Sequence, residues 1–155
     1  MTKAASGLDP TKSTTSTTVR VRFCETDLMG IVHHATYLVY FEAGRVEWLR
    51  RRGITYAEWT ARGVHLPVTS AEVQYRAPSR FDDELRVETT LARLRAVSLD
   101  FTYRILRGEV LVAEGFTRLA CIDDEYKLFR MPEDIRNALL SGEVAARPAS
   151  GSAGS

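Results

Sequence analysis

The order of its segments constrains this chain most: one long helix-compatible run, then four strand-compatible runs joined by short connections. From residue 34 to about 52 there is no proline, and Tyr37, Tyr40, Phe41, Gly44 and Trp48 fall on one helical face. Leu38, Val39, Val46 and Leu49 spread over other faces, so the helix is expected to be covered on more than one side. Glu42 is spaced to meet Arg45, and Glu47 to meet Arg50 or Arg51. Gly53 is a natural stop. Gly44 inside the helix costs about 1 kcal/mol relative to alanine, which points to close packing against something flat.

Before the helix, Val19, Val21 and Phe23 alternate with Arg20 and Arg22 as in a half-buried strand. After it, strands are predicted over residues 64–76, 84–94, 97–106 and 110–122, with a short hairpin turn at Arg107-Gly108-Glu109. The last run is apolar on both faces, which suits a central strand. Strands joined this tightly are antiparallel. The expected fold is therefore α+β, one helix wrapped by one sheet. A single sheet leaves an outer face and an edge to cover, so pairing with a second copy is expected. Pro132 opens a short terminal helix, about 132–140.

Residues 1–17 and 141–155 carry no periodic apolar pattern and read as flexible tails around one domain, 18–140. The 155 residues are 45% hydrophobic and 26% charged, with a net charge of +1. Nothing in that balance calls for nucleic acid or an anionic membrane surface. No apolar run reaches membrane-spanning length, and the expected location is cytoplasmic. Cys24 and Cys121 lie far apart in apolar segments and read as buried, reduced thiols.

The reactive residues gather in Glu25-Thr26-Asp27-Leu28-Met29-Gly30-Ile31-Val32-His33-His34. Asp27 follows a strand, precedes a glycine turn and stands shortly before a helix start. Free N–H groups at a helix start stabilise negative charge, so an acyl carbonyl polarised there would be open to attack by Asp27 or by water that it activates. Asp27 can equally be a capping or surface loop acid. His34 suits a general acid/base, a ligand-positioning group or a helix-start residue whose amide matters, whereas His33 reads as structural or exposed. Tyr37, Tyr40 and Trp48 fit the core. The arginines of the loop Arg76-Ala77-Pro78-Ser79-Arg80-Phe81-Asp82-Asp83-Glu84 can meet phosphates or simply pair with those acids. The histidine and cysteine spacing fits no zinc site. A G-x-S-x-G elbow, a Walker loop and a dinucleotide G-x-G-x-x-G are all absent.

Glu25-Thr26-Asp27 with Gly30, Val32, His34, Ala35 and Tyr37, continued by Phe41-Glu42, Arg45 and Glu47-Trp48-Leu49, resembles one family. So does Tyr75-Arg76-Ala77-Pro78 with Phe81-Asp82-Asp83-Glu84-Leu85. It is the hotdog-fold acyl-CoA thioesterases of the 4-hydroxybenzoyl-CoA thioesterase and YbgC type. The resemblance implies a five-stranded antiparallel sheet around one long helix, paired into dimers and often tetramers. It implies hydrolysis of acyl-CoA without metal or cofactor, with Asp27 as nucleophile or general base and the His34 N–H as oxyanion donor. The His34 ring is functional in the YbgC-like branch. Gly30, Tyr37, Arg76 and Arg80 are the expected substrate-binding residues, the arginines toward the CoA arm. This chain has Phe23 where that branch commonly has tyrosine, which removes a hydroxyl near the acid and sets its mechanism apart; it has Leu28-Met29 where smaller residues are usual, so a differently shaped acyl pocket is expected. Release of acyl chains from a carrier protein, a hotdog dehydratase and a non-catalytic acyl-CoA-binding protein are the rival functions.

Overall fold

A computed structural model describes Leu8 and residues 13–144. Strands β1 (Thr14–Arg20), β2 (Val68–Tyr75), β3 (Glu84–Leu94), β4 (Ser98–Arg107) and β5 (Val110–Ala120) make one sheet in the order β1-β3-β4-β5-β2. All four pairings are antiparallel. The hairpin between β4 and β5 closes at the Arg107–Val110 pair, leaving Gly108 and Glu109 as its two-residue turn. Helix α1 (Thr36–Arg50) lies in sequence between β1 and β2 and carries the chain from one edge of the sheet to the other. The short helix α2 (Tyr56–Ala61) and the terminal helix α3 (Glu133–Leu140) complete the fold.

Alternation decides what faces α1. Leu85, Val87, Thr89 and Leu91 of β3 are buried, as are Leu99, Phe101, Tyr103 and Ile105 of β4. Tyr37, Tyr40, Phe41, Gly44 and Trp48 meet them from the helix. Phe41 stacks on Tyr103 with ring centroids 4.2 Å apart, and Trp48 stands edge-on to Phe101 at 5.1 Å. Each such buried side chain contributes about 1.5–3 kcal/mol by leaving water. Gly44 is the point of closest approach. A Cβ there would fall against Thr89 Oγ1 and within 2.8 Å of Val87 Cγ1. The flat partner expected from the sequence is strand β3.

Several expectations need correction. Residues 14–17 are not a tail: the β-branched threonines pair with β3, and Thr15 is buried beneath Arg52, whose Nη1 donates to its Oγ1 at 2.8 Å. That strand ends at Arg20, and residues 23–25 form a 3-10 turn that leaves Phe23 and Cys24 exposed. Only Cys121 is a buried thiol. At the other end, Glu143 accepts from Thr15 Oγ1 and the Val144 N–H donates to Arg51 O, so residues 141–144 are tied back to the domain. The remaining parts of the two expected tails, 1–7, 9–12 and 145–155, lie outside the described residues. The stretch after Gly53 holds α2, capped by the Thr55 side chain.

Glu47 does meet Arg50 and Arg51. Arg45 does not meet Glu42: it points inward, and its Nη1 donates to Tyr103 Oη at 3.1 Å. The apolar strand β5 is interior, but β4 is the middle strand. The sheet covers only the inner side of α1, and Leu38 and Val39 are exposed.

Candidate active site

The site is built on a loop that folds back on itself between the 3-10 turn and α1. Glu25 anchors its first half. The buried Glu25 carboxylate takes the Arg22 N–H at 2.7 Å and the Tyr40 hydroxyl at 3.1 Å, and its backbone O takes the His33 N–H at 2.9 Å. Burial, first, and then the neighbouring Glu25 charge push the Tyr40 phenol well above the usual tyrosine range, so it stays a donor. Thr26 bridges Val32, the Asp27 N–H donates to Ile31 O, and the Gly30 N–H donates to Asp27 O. Gly30 has φ +77°, a left-handed conformation that costs glycine nothing. This closed loop fixes Asp27.

The Asp27 side chain is half-buried, and its Oδ1 accepts the Met29 N–H at 2.9 Å. Among the described residues, Oδ2 receives no donor. One carboxylate oxygen is thus spent on orientation and the other is available. The helix tip lines the same recess as Asp27. At that tip the His33 and His34 rings are 4.1 Å apart, the Thr36 N–H donates to His33 O, and the Ala35 N–H donates to His33 Nδ1 at 3.2 Å. Among the described residues the His34 N–H has no acceptor.

Asp27, His34, Tyr37 and Arg76 all line one recess of about 460 Å³, together with Met29, Ile31, Val32, Tyr75, Ala77 and Pro78. Apolar side chains and ionisable groups line it together, a mixture that suits a small acyl group with a polar reacting centre. Tyr37 is buried, and that burial raises its phenol above the ordinary range. Arg76 is already engaged, with Nη2 2.7 Å from Glu114 Oε1. Gly30 shapes the loop without lining the recess, and Arg80 stands behind it: a Cβ on Gly30 would lie 3.9 Å from Arg80 Nη1. Of the six residues singled out from the sequence, four therefore share the recess and two support it from outside.

Tyr75 was given no role of its own from the sequence, and His33, expected to be structural or exposed, is both. Tyr75 donates its hydroxyl to His34 O at 2.8 Å, and His33 caps Ala35 through its ring. The position of Tyr75 at a strand end, just ahead of the Arg76-Ala77-Pro78 loop, was the available signal. Among the described residues no three His, Cys, Asp or Glu side chains gather so as to hold a metal ion. Among the described residues no helix is long and apolar enough to cross a membrane.

Residues 21–139 match the model of the thioesterase-like superfamily. The chain belongs to that superfamily. It is 37% identical over 106 residues to the acyl-CoA thioester hydrolase YbgC of Escherichia coli, covering 68% of this chain and 79% of that one. A DHNA-CoA thioesterase structure from Staphylococcus aureus superposes with a TM-score of 0.78 at 28% identity, covering 81% of this chain and 87% of the other. A hypothetical protein from Thermus thermophilus superposes with the same TM-score at 47% identity, covering 81% and 95%. The five-stranded antiparallel sheet around α1 is accordingly the hotdog fold of these thioesterases.

Proposed function

We propose that this superfamily member hydrolyses the thioester of acyl-CoA to a free acid and coenzyme A. One observation carries the reading: Asp27 and the His34 helix tip line the same recess. A thioester carbonyl placed between them would meet the free Oδ2 on one side and the unpaired His34 N–H on the other. As the carbonyl oxygen takes up charge, that N–H and the positive end of α1 stabilise it, an effect worth several kcal/mol when the donor is well placed. Asp27 either adds to the carbonyl carbon, giving a mixed anhydride that water opens, or takes a proton from the attacking water. In both routes the C–S bond breaks and CoA leaves as a thiolate, which needs no strong acid. The His34 ring positions water or carries its proton.

Tyr37 forms a wall for the acyl group, and Gly30 permits the turn that presents Asp27. Arg80 is the better placed of the two arginines for CoA phosphates, because Arg76 would have to leave Glu114. The two free thiols suit a reducing, cytoplasmic setting.

A dimer follows from the sheet edge. Strand β2 is exposed along nearly its whole length, Val68 and Tyr75 included, and pairs on one side only. Two-fold pairing of β2 with a second copy would continue the sheet and bring the partner to the recess wall formed by Tyr75 and Arg76. Dimers of this kind then associate into a tetramer.

The test is a panel of aliphatic and aromatic acyl-CoA substrates, with matching acyl-carrier-protein thioesters, followed by a thiol-detecting reagent. Thiol release from acyl-CoA in step with acid formation is expected. Stabilisation by acyl-CoA with no thiol released would instead make this a binding protein.

A further inference from the structure

The peptide group joining His34 to Ala35 is held at both ends by side chains that take no part in the chemistry proposed above. Its carbonyl accepts the Tyr75 hydroxyl at 2.8 Å, and its N–H donates to His33 Nδ1 at 3.2 Å. The Tyr75 hydroxyl comes from strand β2, 41 residues along the chain, and its ring is edge-on to Tyr37 with centroids 5.5 Å apart. His33 is itself fixed, because its N–H is bonded to Glu25 O and its O to the Thr36 N–H. Around this tip, therefore, the His33 carbonyl and both ends of the next peptide are all engaged. Among the described residues the His34 N–H, like the Tyr37 N–H, is left without an acceptor.

We infer that Tyr75 and His33 are positioning residues: together they clamp the His34–Ala35 peptide, which adjoins the His33–His34 peptide carrying the His34 N–H, and so limit how far that N–H can swing. The inference rests on the acyl-CoA reading for its catalytic consequence, but the clamp itself does not. A single N–H serves as an oxyanion donor only if its direction is settled before the charge develops. The His33–His34 peptide that carries this N–H is held by one bond, from the Thr36 N–H to His33 O, and the N-cap residue, Ala35, supplies no side-chain cap, so the clamp on the next peptide is the second restraint. For Nδ1 to accept, the His33 proton must sit on Nε2.

Tyr75→Phe removes one hydroxyl and keeps the ring against Tyr37. The expected result is a fall in kcat of about tenfold or more with KM nearly unchanged, a melting temperature close to wild type, and faster hydrogen exchange at the Ala35 amide. His33→Ala should do the same, and His33→Asn, which returns an acceptor oxygen, should restore much of kcat. Wild-type kcat in both Tyr75→Phe and His33→Ala would overturn the positioning role. So would an equal loss in binding of a non-hydrolysable thioether analogue, because that outcome marks general damage. If the wild type releases no thiol from any acyl-CoA, the activity reading fails, and amide exchange alone decides the clamp. Unchanged exchange at Ala35 in both variants would then sink it.

Discussion

Asp100 shows how single residues can be both paired and consequential away from the recess. Its carboxylate takes two guanidinium forks: Arg95 donates at 3.0 and 3.1 Å, and Arg118 at 2.8 and 3.1 Å. Burial alone would raise its pKa, but the bonds from Arg118 and then Arg95 outweigh it and hold the group below the usual carboxylate value. Because the folded pKa is depressed, the stabilisation is present in full above the ordinary aspartate pKa and is lost as pH falls through the folded value. Asp100→Ala should therefore cost about 1–3 kcal/mol at neutral pH and much less near pH 3. Thermal melts of both proteins across that range check it, and a pH-independent difference would contradict the assignment. The thiols give a second residue-scale expectation. Cys24 is exposed, whereas burial pushes the Cys121 thiol up. One of the two should react quickly in the native protein and the second only after unfolding, as a thiol titration would show. The sequence made Asp27 and His34 visible because both stand in a dense motif. It did not make Cys24 legible: an apolar neighbourhood in sequence is not burial once a 3-10 turn swings the residue outward.

Among the elements, α1 and the three strands β3 to β5 were readable because each repeats one period for ten residues or more. The Glu84–Leu94 strand is seen where alternation placed it. β1 was misplaced because its register comes from pairing with β3, which a run of threonines does not advertise. α2 was missed because six residues are too short for a period to emerge. Gly44 was readable in kind, and its partner came only with the coordinates. Gly44→Ala improves helix propensity by about 1 kcal/mol, yet the new methyl meets Thr89 and Val87. The crowding should win, with a net loss of about 1–2 kcal/mol and a melting temperature lower by several degrees. A more stable variant would mean that α1 does not press on β3 as described. The recess itself was only half legible. Four of its residues sit in two motifs some 40 positions apart in the sequence, and nothing in spacing says that they meet. That meeting depends on the crossing of α1, which brings its N-terminus beside the end of β2.

At the scale of the whole molecule, the described chain is an open system. Its sheet has an unpaired edge at β2, and α1 shows Leu38 and Val39 to solvent. The proposed pairing with a second copy would continue the sheet at that edge, so sedimentation at micromolar concentration should give a mass at least twice the 17.4 kDa of one chain. A stable monomer would leave the recess walled on one side only. The central claim, however, is that the Asp27 carboxylate and the α1 tip act on one carbonyl. It is tested most directly by comparing kcat for acyl-CoA hydrolysis in wild type and Asp27→Asn, with binding of a thioether analogue measured alongside. Asn keeps the size and the acceptor for Met29 N–H but can neither add to the carbonyl nor take a proton. The account predicts a drop in kcat of about a hundredfold or more with analogue binding retained; near-wild-type turnover in Asp27→Asn would contradict it.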